Sequence, residues 1–126
     1  MTVMLGALRA NLAHEINLAA GDARCRHITD VPGQAATYQL KQLQARAYLA
    51  DPGGTPPPML QAEIDATGET AAAAALAIVA AADAWEAIAV LIERARRLGL
   101  VAVTSGASAD AIRASAAEAI AALQVL

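Results

Sequence analysis

TAAAAALAIVAAADAWEAIAVLIERARRL, residues 70–98, is the stretch on which the fold turns. It holds neither Gly nor Pro and is dominated by alanine, the strongest helix former. Arg94, Arg96 and Arg97 precede Gly99, the residue types that favour a helix C-terminus. The run predicts one helix of roughly 40 Å, at 1.5 Å per residue, longer than a chain of this size usually needs.

Its faces can be read. Ala77, Ala81, Ala84, Ile88, Leu91, Ala95 and Leu98 alternate steps of four and three, the spacing of a coiled-coil seam. Ile78, Trp85 and Ile92 recur every seven residues beside it and widen the stripe. Trp85, Ile88, Leu91 and Ile92 are therefore expected as core anchors, with Trp85 largely buried. Glu93 precedes Arg97 by four residues, the favourable orientation for a helical ion pair. Two arrangements fit: a core helix within one domain, or an Ala-rich half around Ala77, Ala81 and Ala84 that packs on another chain. Charge is absent from residues 71–82, but the run ends at Asp83, short of the roughly 20 apolar residues of a membrane span.

The remaining composition narrows the function classes. In 126 residues there are one Trp, two Tyr and no Phe, so the hydrophobic fraction of 57% is largely alanine and the core is thin. Oligomerisation or docking is a natural extra source of stability for such a chain. A net charge of −3, from 9 basic and 12 acidic residues, argues against a nucleic-acid surface. The single Cys25 excludes an internal disulfide and fits a reducing cytoplasm. Arg9, Asn11, His14 and Glu15 interrupt the N-terminal apolar run, so no signal peptide is expected.

Outward from the long helix, residues 2–20 carry Leu5, Leu8, Leu12 and Ile16 at helical spacing, with Thr2 as cap and Gly21 as stop. Residues 21–33 read as loop. A second helix is expected from residue 33 or 34 to 50, with Asp30 as candidate cap and Pro32 in its first turn. Its stripe is Ala36, Leu40, Leu43 and Ala47, while Lys41, Gln42, Gln44 and Arg46 face solvent. DPGGTPPP, residues 51–58, is the strongest break and reads as a semi-rigid elbow. A short helix over 58–66 follows, with Met59, Leu60 and Ile64 on one side and Gly68 beyond its end. After Gly99, LVAV either extends the long helix through a kink or forms a short extended stretch. Ser108 caps a last helix bearing Ile112, Ala116, Ala119, Ile120 and Leu123. The expected organisation is an N-terminal helical pair over 1–50, the elbow over 51–58, and a C-terminal bundle over 59–126; the pair either serves as a docking arm or folds back onto the long helix. Leu5, Leu8, Leu12 and Ile16 would supply the arm's contact stripe.

Chemistry is sparse. Asp22, Cys25, His27 and Asp30 form the one compact reactive group, but zinc needs four oriented ligands in paired spacings. A Cys25–His27 nucleophile pair lacks an orienting third group and a framed pocket. The paired glycines at 53 and 54 precede prolines, not a phosphate-binding Lys and helix. No catalytic residue, metal site or cofactor is expected.

An ordered set of motifs does stand out: QARAYLADP, TPPPMLQAEIDATGET, IVAAADAWEAIAVLIERARR and VTSGASADAIRASAAEAI. Its residues include Ala45, Arg46, Ala47, Tyr48, Leu49, Ala50, Asp51, Pro58, Leu60, Glu63, Thr67, Gly68, Glu69, Thr70, Trp85, Ile92, Glu93 and Arg96. Over about two thirds of the chain this resembles the helical segment of small tail-region proteins of tailed bacteriophages; the first thirty residues have no counterpart. The resemblance implies a tail or tail-fibre role in the virion or in its assembly, and no catalytic residues.

The sequence thus predicts an all-α protein of four or five helices, with one long Ala-rich central helix and a Pro-rich elbow. It predicts a non-enzymatic structural or assembly protein, made in the host cytoplasm and located in the virion tail. Other phage tail proteins are the expected partners, with the chain a homo-oligomer or a docked subunit, touching neither nucleic acid nor membrane. A cytoplasmic adaptor or tail-fibre assembly chaperone absent from the mature particle is the alternative. A small enzyme built on the Cys25/His27 loop is a third reading, which alkylation of Cys25 would expose.

Overall fold

A computed structural model describes residues 2–28 and 32–126, with side chains placed from residue 5 onward. The described residues form five helices and no strand: α1 (Thr2–Cys25), α2 (Gln34–Ala50), α3 (Pro58–Thr67), α4 (Ala71–Ser105) and α5 (Ala109–Gln124). The all-α class and the long Ala-rich helix stand as expected.

The caps explain most boundaries. Pro58 opens α3 at a position where a missing N–H costs nothing, behind Pro57 at φ −60°. Gly68, at φ 74°, closes it with its N–H donating to the Ile64 carbonyl at 2.8 Å. Thr70 Oγ1 accepts from Ala73 N at 3.2 Å, and Ser108 Oγ from Ala111 N at 3.1 Å, starting α4 and α5. Two stops fail. Gly21 does not end α1, which continues to Cys25 and absorbs part of the expected loop. Gly99 does not end α4, and LVAV is helical. A lone glycine lowers helix stability by only about 1 kcal/mol, which packing readily exceeds. The expected caps Thr2 and Asp30 lie outside the described side chains.

The chain separates into two compact units, residues 1–28 with 87–126 and residues 29–86, so α4 supplies residues 71–86 to one and 87–105 to the other. This replaces the expected division at 50 and 58. Of the expected N-terminal pair, α1 belongs to the first unit and α2 to the second.

In the first unit α1 lies against α5 and the second half of α4. Arg9 Nη2 donates to the Gly106 carbonyl at 2.9 Å, and Arg26 Nη2 to the Leu123 carbonyl at 2.6 Å, with the same sequence offset of 97. A constant offset means that α1 and α5 run parallel and in register. α4 runs antiparallel to α1, since Arg24 pairs with Glu93 at 3.5 Å while Asn17 accepts from Arg96 at 3.1 Å. Ile16, Ile92, Val103, Ile112 and Leu123 are fully enclosed, with Ala20, Ala23 and Ala116 between them. Each large side chain contributes on the order of 1.5–3 kcal/mol. Ile16 is thus a core residue rather than part of a docking stripe, and Leu5, Leu8 and Leu12 are half-buried. Of the expected docking stripe, Ile16 is thus taken up by packing within the first unit.

In the second unit Ala45, Leu60, Ala74 and Ala75 form the core, with Tyr48, Leu49, Ile64, Ile78 and Val79 packed around them. Residues 51–57 join α2 to α3 inside this unit, so the Pro-rich segment is a turn between neighbours and not an elbow between domains. Gly53 takes φ 103°, a conformation that residues with a Cβ rarely adopt.

Glycines make the packing testable. A Cβ on Gly99 would sit 2.5 Å from Ala119 Cβ and 3.3 Å from Ile16 Cδ1, whereas one on Gly21 meets nothing within 4 Å. Gly21→Ala should therefore stabilise by about 0.5–1 kcal/mol through helix propensity. Gly99→Ala should destabilise by about 1–3 kcal/mol through overpacking. Urea midpoints of the two variants shifting in the same direction would contradict this packing.

Candidate functional site

Helix faces, rather than reactive groups, carry what is distinctive here. On α4 the inward residues are the row Ile78, Trp85, Ile92 and Gly99, seven apart, joined by Ala75, Ala82, Ala89 and Val103. That row lies one residue on from the expected seam. Ile92 is enclosed, Trp85 and Ile88 are half-buried, and Leu91 is 49% exposed. Leu91 is therefore no core anchor, and Trp85 is less covered than expected. Ala77, Ala81 and Ala84 are exposed in the second unit, and Leu98, in the first, is 62% exposed. In an Ala-rich helix two neighbouring rows share the same three–four spacing, so periodicity could not choose between them.

α2 shows the same rotation. Its expected stripe is outward: Leu40 is 46% and Leu43 58% exposed, with Tyr38, Ala36 and Ala47 also exposed. Lys41 and Gln44, expected in solvent, face inward instead. Lys41 Nζ lies 2.6 Å from Glu63 Oε2, both partly shielded, and Gln44 Oε1 accepts from Met59 N at 2.7 Å. The second bond caps α3, whose own N-cap is a proline and offers no side-chain acceptor. A polar residue at a helix-to-helix crossing is favoured when it satisfies a donor that would otherwise be orphaned. Hydrophobic periodicity has no means of registering that.

The arginines also change role. α4 continues beyond them to Ser105, so no helix terminus explains them. Arg96 binds Glu93 through Nε at 2.8 Å and Nη2 at 2.6 Å, and reaches Asn17 on α1. Glu93's hydrogen-bonded partners are thus Arg96 and, at 3.5 Å, Arg24, rather than Arg97. Arg46 on α2 pairs with Asp83 on α4 at 2.7 Å. Arg9 Nε is buried without a hydrogen-bond partner while its Nη2 holds the α4–α5 turn at Gly106.

Two members of the reactive group, Cys25 and His27, lie at the end of α1. Cys25 ends α1 and is exposed, while the His27 ring nitrogen lies 2.6 Å from the Leu126 carbonyl, fastening the end of α1 to the end of α5. Among the described residues no three His, Cys, Asp or Glu side chains converge as metal ligands; Asp30 lies outside them.

A groove of about 540 Å³ runs between α4 and α5 in the first unit. Leu91, Leu98 and Val125 stand along its edges, Ala95, Gly99, Ala102 and Ala119 form its floor, and Arg94 and Glu118 flank it. α4 is also long and apolar enough, by length and composition, to cross a membrane. Asp83 on its first half, exposed and paired with Arg46 of α2, is a costly feature in hydrocarbon and an ordinary one in water.

Comparison with protein families, characterised proteins and solved structures finds no match to this chain.

The Glu93 carboxyl is held below the usual carboxylate range, first by its hydrogen bond from Arg96 and then by the charges of Arg96, Arg24 and Arg97, against a desolvation effect that raises it. A carboxylate depressed on folding stabilises above its unfolded pKa and loses that contribution as pH falls through the folded value. Acid titration of the wild type should therefore show a loss of stability below the ordinary glutamate range that Glu93→Gln lacks. Thermal midpoints between neutral pH and pH of about 3 that fall in parallel for both proteins would exclude a stabilising Glu93–Arg96 pair.

Proposed function

We propose that this chain is a non-enzymatic structural or assembly protein of a bacteriophage tail, acting through helix-mediated contacts with other tail proteins. The observation that carries the reading is the inverted α2: Leu40 and Leu43 are exposed side by side on one face while Lys41 and Gln44 are partly shielded and bond to α3. Clustered large apolar side chains on a water-facing helix are a feature of protein-binding surfaces. The ordered motifs from QARAYLADP to VTSGASADAIRASAAEAI support the tail assignment within that class. Scarcity of His, Cys and aromatic residues supports the absence of catalysis. Synthesis in the host cytoplasm followed by incorporation in the virion completes the proposal; a tail-fibre assembly chaperone is the variant in which the chain leaves before the particle is finished.

Mass spectrometry of purified particles is expected to find the chain among tail components at stoichiometric level. Its presence in lysate complexes but not in particles would favour the chaperone, and its absence from both would reject the tail assignment. Leu43→Asp should weaken partner capture by roughly tenfold or more with unchanged helicity. Equal capture by wild type and variant would remove α2 as the docking face.

A further inference from the structure

We propose that the outward face of α4 pairs with the same face of a second copy of this chain, as an antiparallel two-helix seam. The inference rests on the reading of the protein as one that works by helix contacts, and is independent of its assignment to a phage tail. α4 is one unbroken helix from Ala71 to Ser105. On it Leu91 is 49%, Leu98 62% and Val101 53% exposed, and Ala77, Ala80, Ala84 and Ala87 are exposed as well. Together with Arg94 these positions alternate steps of three and four, so they form one heptad seam. Asp83, Val90 and Arg97, seven residues apart and all exposed, line one flank of it.

Size is distributed unevenly along the seam: alanines occupy its first half and the large side chains its second. A parallel pairing would set alanine on alanine and leucine on leucine. An antiparallel one centred on residue 89 sets Leu91 on the copy's Ala87, Leu98 on its Ala80 and Val101 on its Ala77, and the two-fold axis repeats each contact. Large side chains then enter gaps left by small ones, as knobs enter holes.

Charge selects the same register. A two-fold axis between antiparallel helices brings each flank against the same flank of the copy. Asp83 and the copy's Arg97 then differ in level by two residues, about 3 Å, and each side chain leans toward its own helix N-terminus and so toward the other. Arg94, over the copy's Ala84, adjoins the same carboxylate. Arg46 bonds Asp83 Oδ1 at 2.7 Å, which leaves the carboxylate with further acceptor sites. A slip of one heptad either way would set Asp83 against Val90 or Thr104, and parallel helices would set it against Ile88; none of these pairs the charges. The seam is complementary to itself in size and in charge, the condition for an isologous contact.

Sedimentation of the full chain over an about hundredfold concentration range should show a monomer–dimer equilibrium. Cross-linking reads the orientation. In a Cys25→Ser background, an Ala80→Cys chain and a Leu98→Cys chain should form a disulfide with each other when mixed and oxidised, and neither should form one alone. Arg97→Glu and Asp83→Arg should each weaken the homodimer about tenfold, and an equimolar mixture of the two should recover affinity to within about threefold of wild type. Circular dichroism should show unchanged helicity; if Asp83→Arg loses it, Arg97→Glu and the cross-link decide. A chain that is monomeric at every concentration overturns the proposal. So does a cross-link in either cysteine chain alone, a dimer that ignores Arg97→Glu, or two helical charge variants whose mixture shows no recovery. These results are separable from the fate of the tail assignment: a dimer with the stated sensitivities stands even if particles lack the protein, and a monomer leaves docking through α2 untouched.

Discussion

The first unit depends on the close approach of α4 to α1 and α5 at Gly99. The missing Cβ leaves room for Ala119 and for the Ile16 side chain, so three helices meet where a larger residue would hold them apart. Around that contact the enclosed residues Ile16, Ile92, Ile112 and Leu123 find one another, and no aromatic residue is needed to fill the space. Polar clamps then fix the register. Arg9 holds the α4–α5 turn and Arg26 the end of α5, so α1 is fastened at both ends by bonds to backbone carbonyls. Such bonds are directional and, being made to main chain, constrain position along the helix more than apolar contact does.

The second unit follows the same logic with smaller means. Ala45, Ala74 and Ala75 enclose Leu60, and the α2–α3 crossing is completed by Gln44 and by the Lys41–Glu63 pair. Close packing through small residues has a consequence in both units. Where alanines and glycines take the contacts, the larger apolar side chains of the same helices are left outside. Leu40 and Leu43 on α2, and Leu91 and Leu98 on α4, are products of that choice.

The motif residues on which the proposed tail assignment rests are mostly occupied in folding. Pro58 and Gly68 bound α3, Thr70 caps α4, Leu60 and Ile92 are core, and Glu63 and Glu93 are paired with Lys41 and Arg96. Those motifs therefore occupy scaffold positions. The surfaces proposed to meet partners lie largely beside those positions: of Leu40, Leu43, Leu91 and Leu98, none belongs to the matched set.

Local chemistry made several features legible in the sequence alone: the helical class, the span of α2, the Pro58 start and Gly68 stop of α3, the Ser108 cap and the buried face of α5. Each depends on a residue's own backbone preference, or on a periodicity with only one apolar solution. Tertiary structure decided the rest. Gly21 and Gly99 could stop a helix or lie within one, and the outcome rested on neighbours distant in sequence. The rows beginning at Ala77 and Ile78 have the same spacing in an alanine background, and the approach of α1 and α5 at Gly99 selected the second in the first unit. The assignment of α1 to α5 rather than to α2 came from Arg9, Arg26 and Ile16 meeting residues some eighty to a hundred positions away. A sequence window reports what one helix prefers, but which face is buried is a property of the pair.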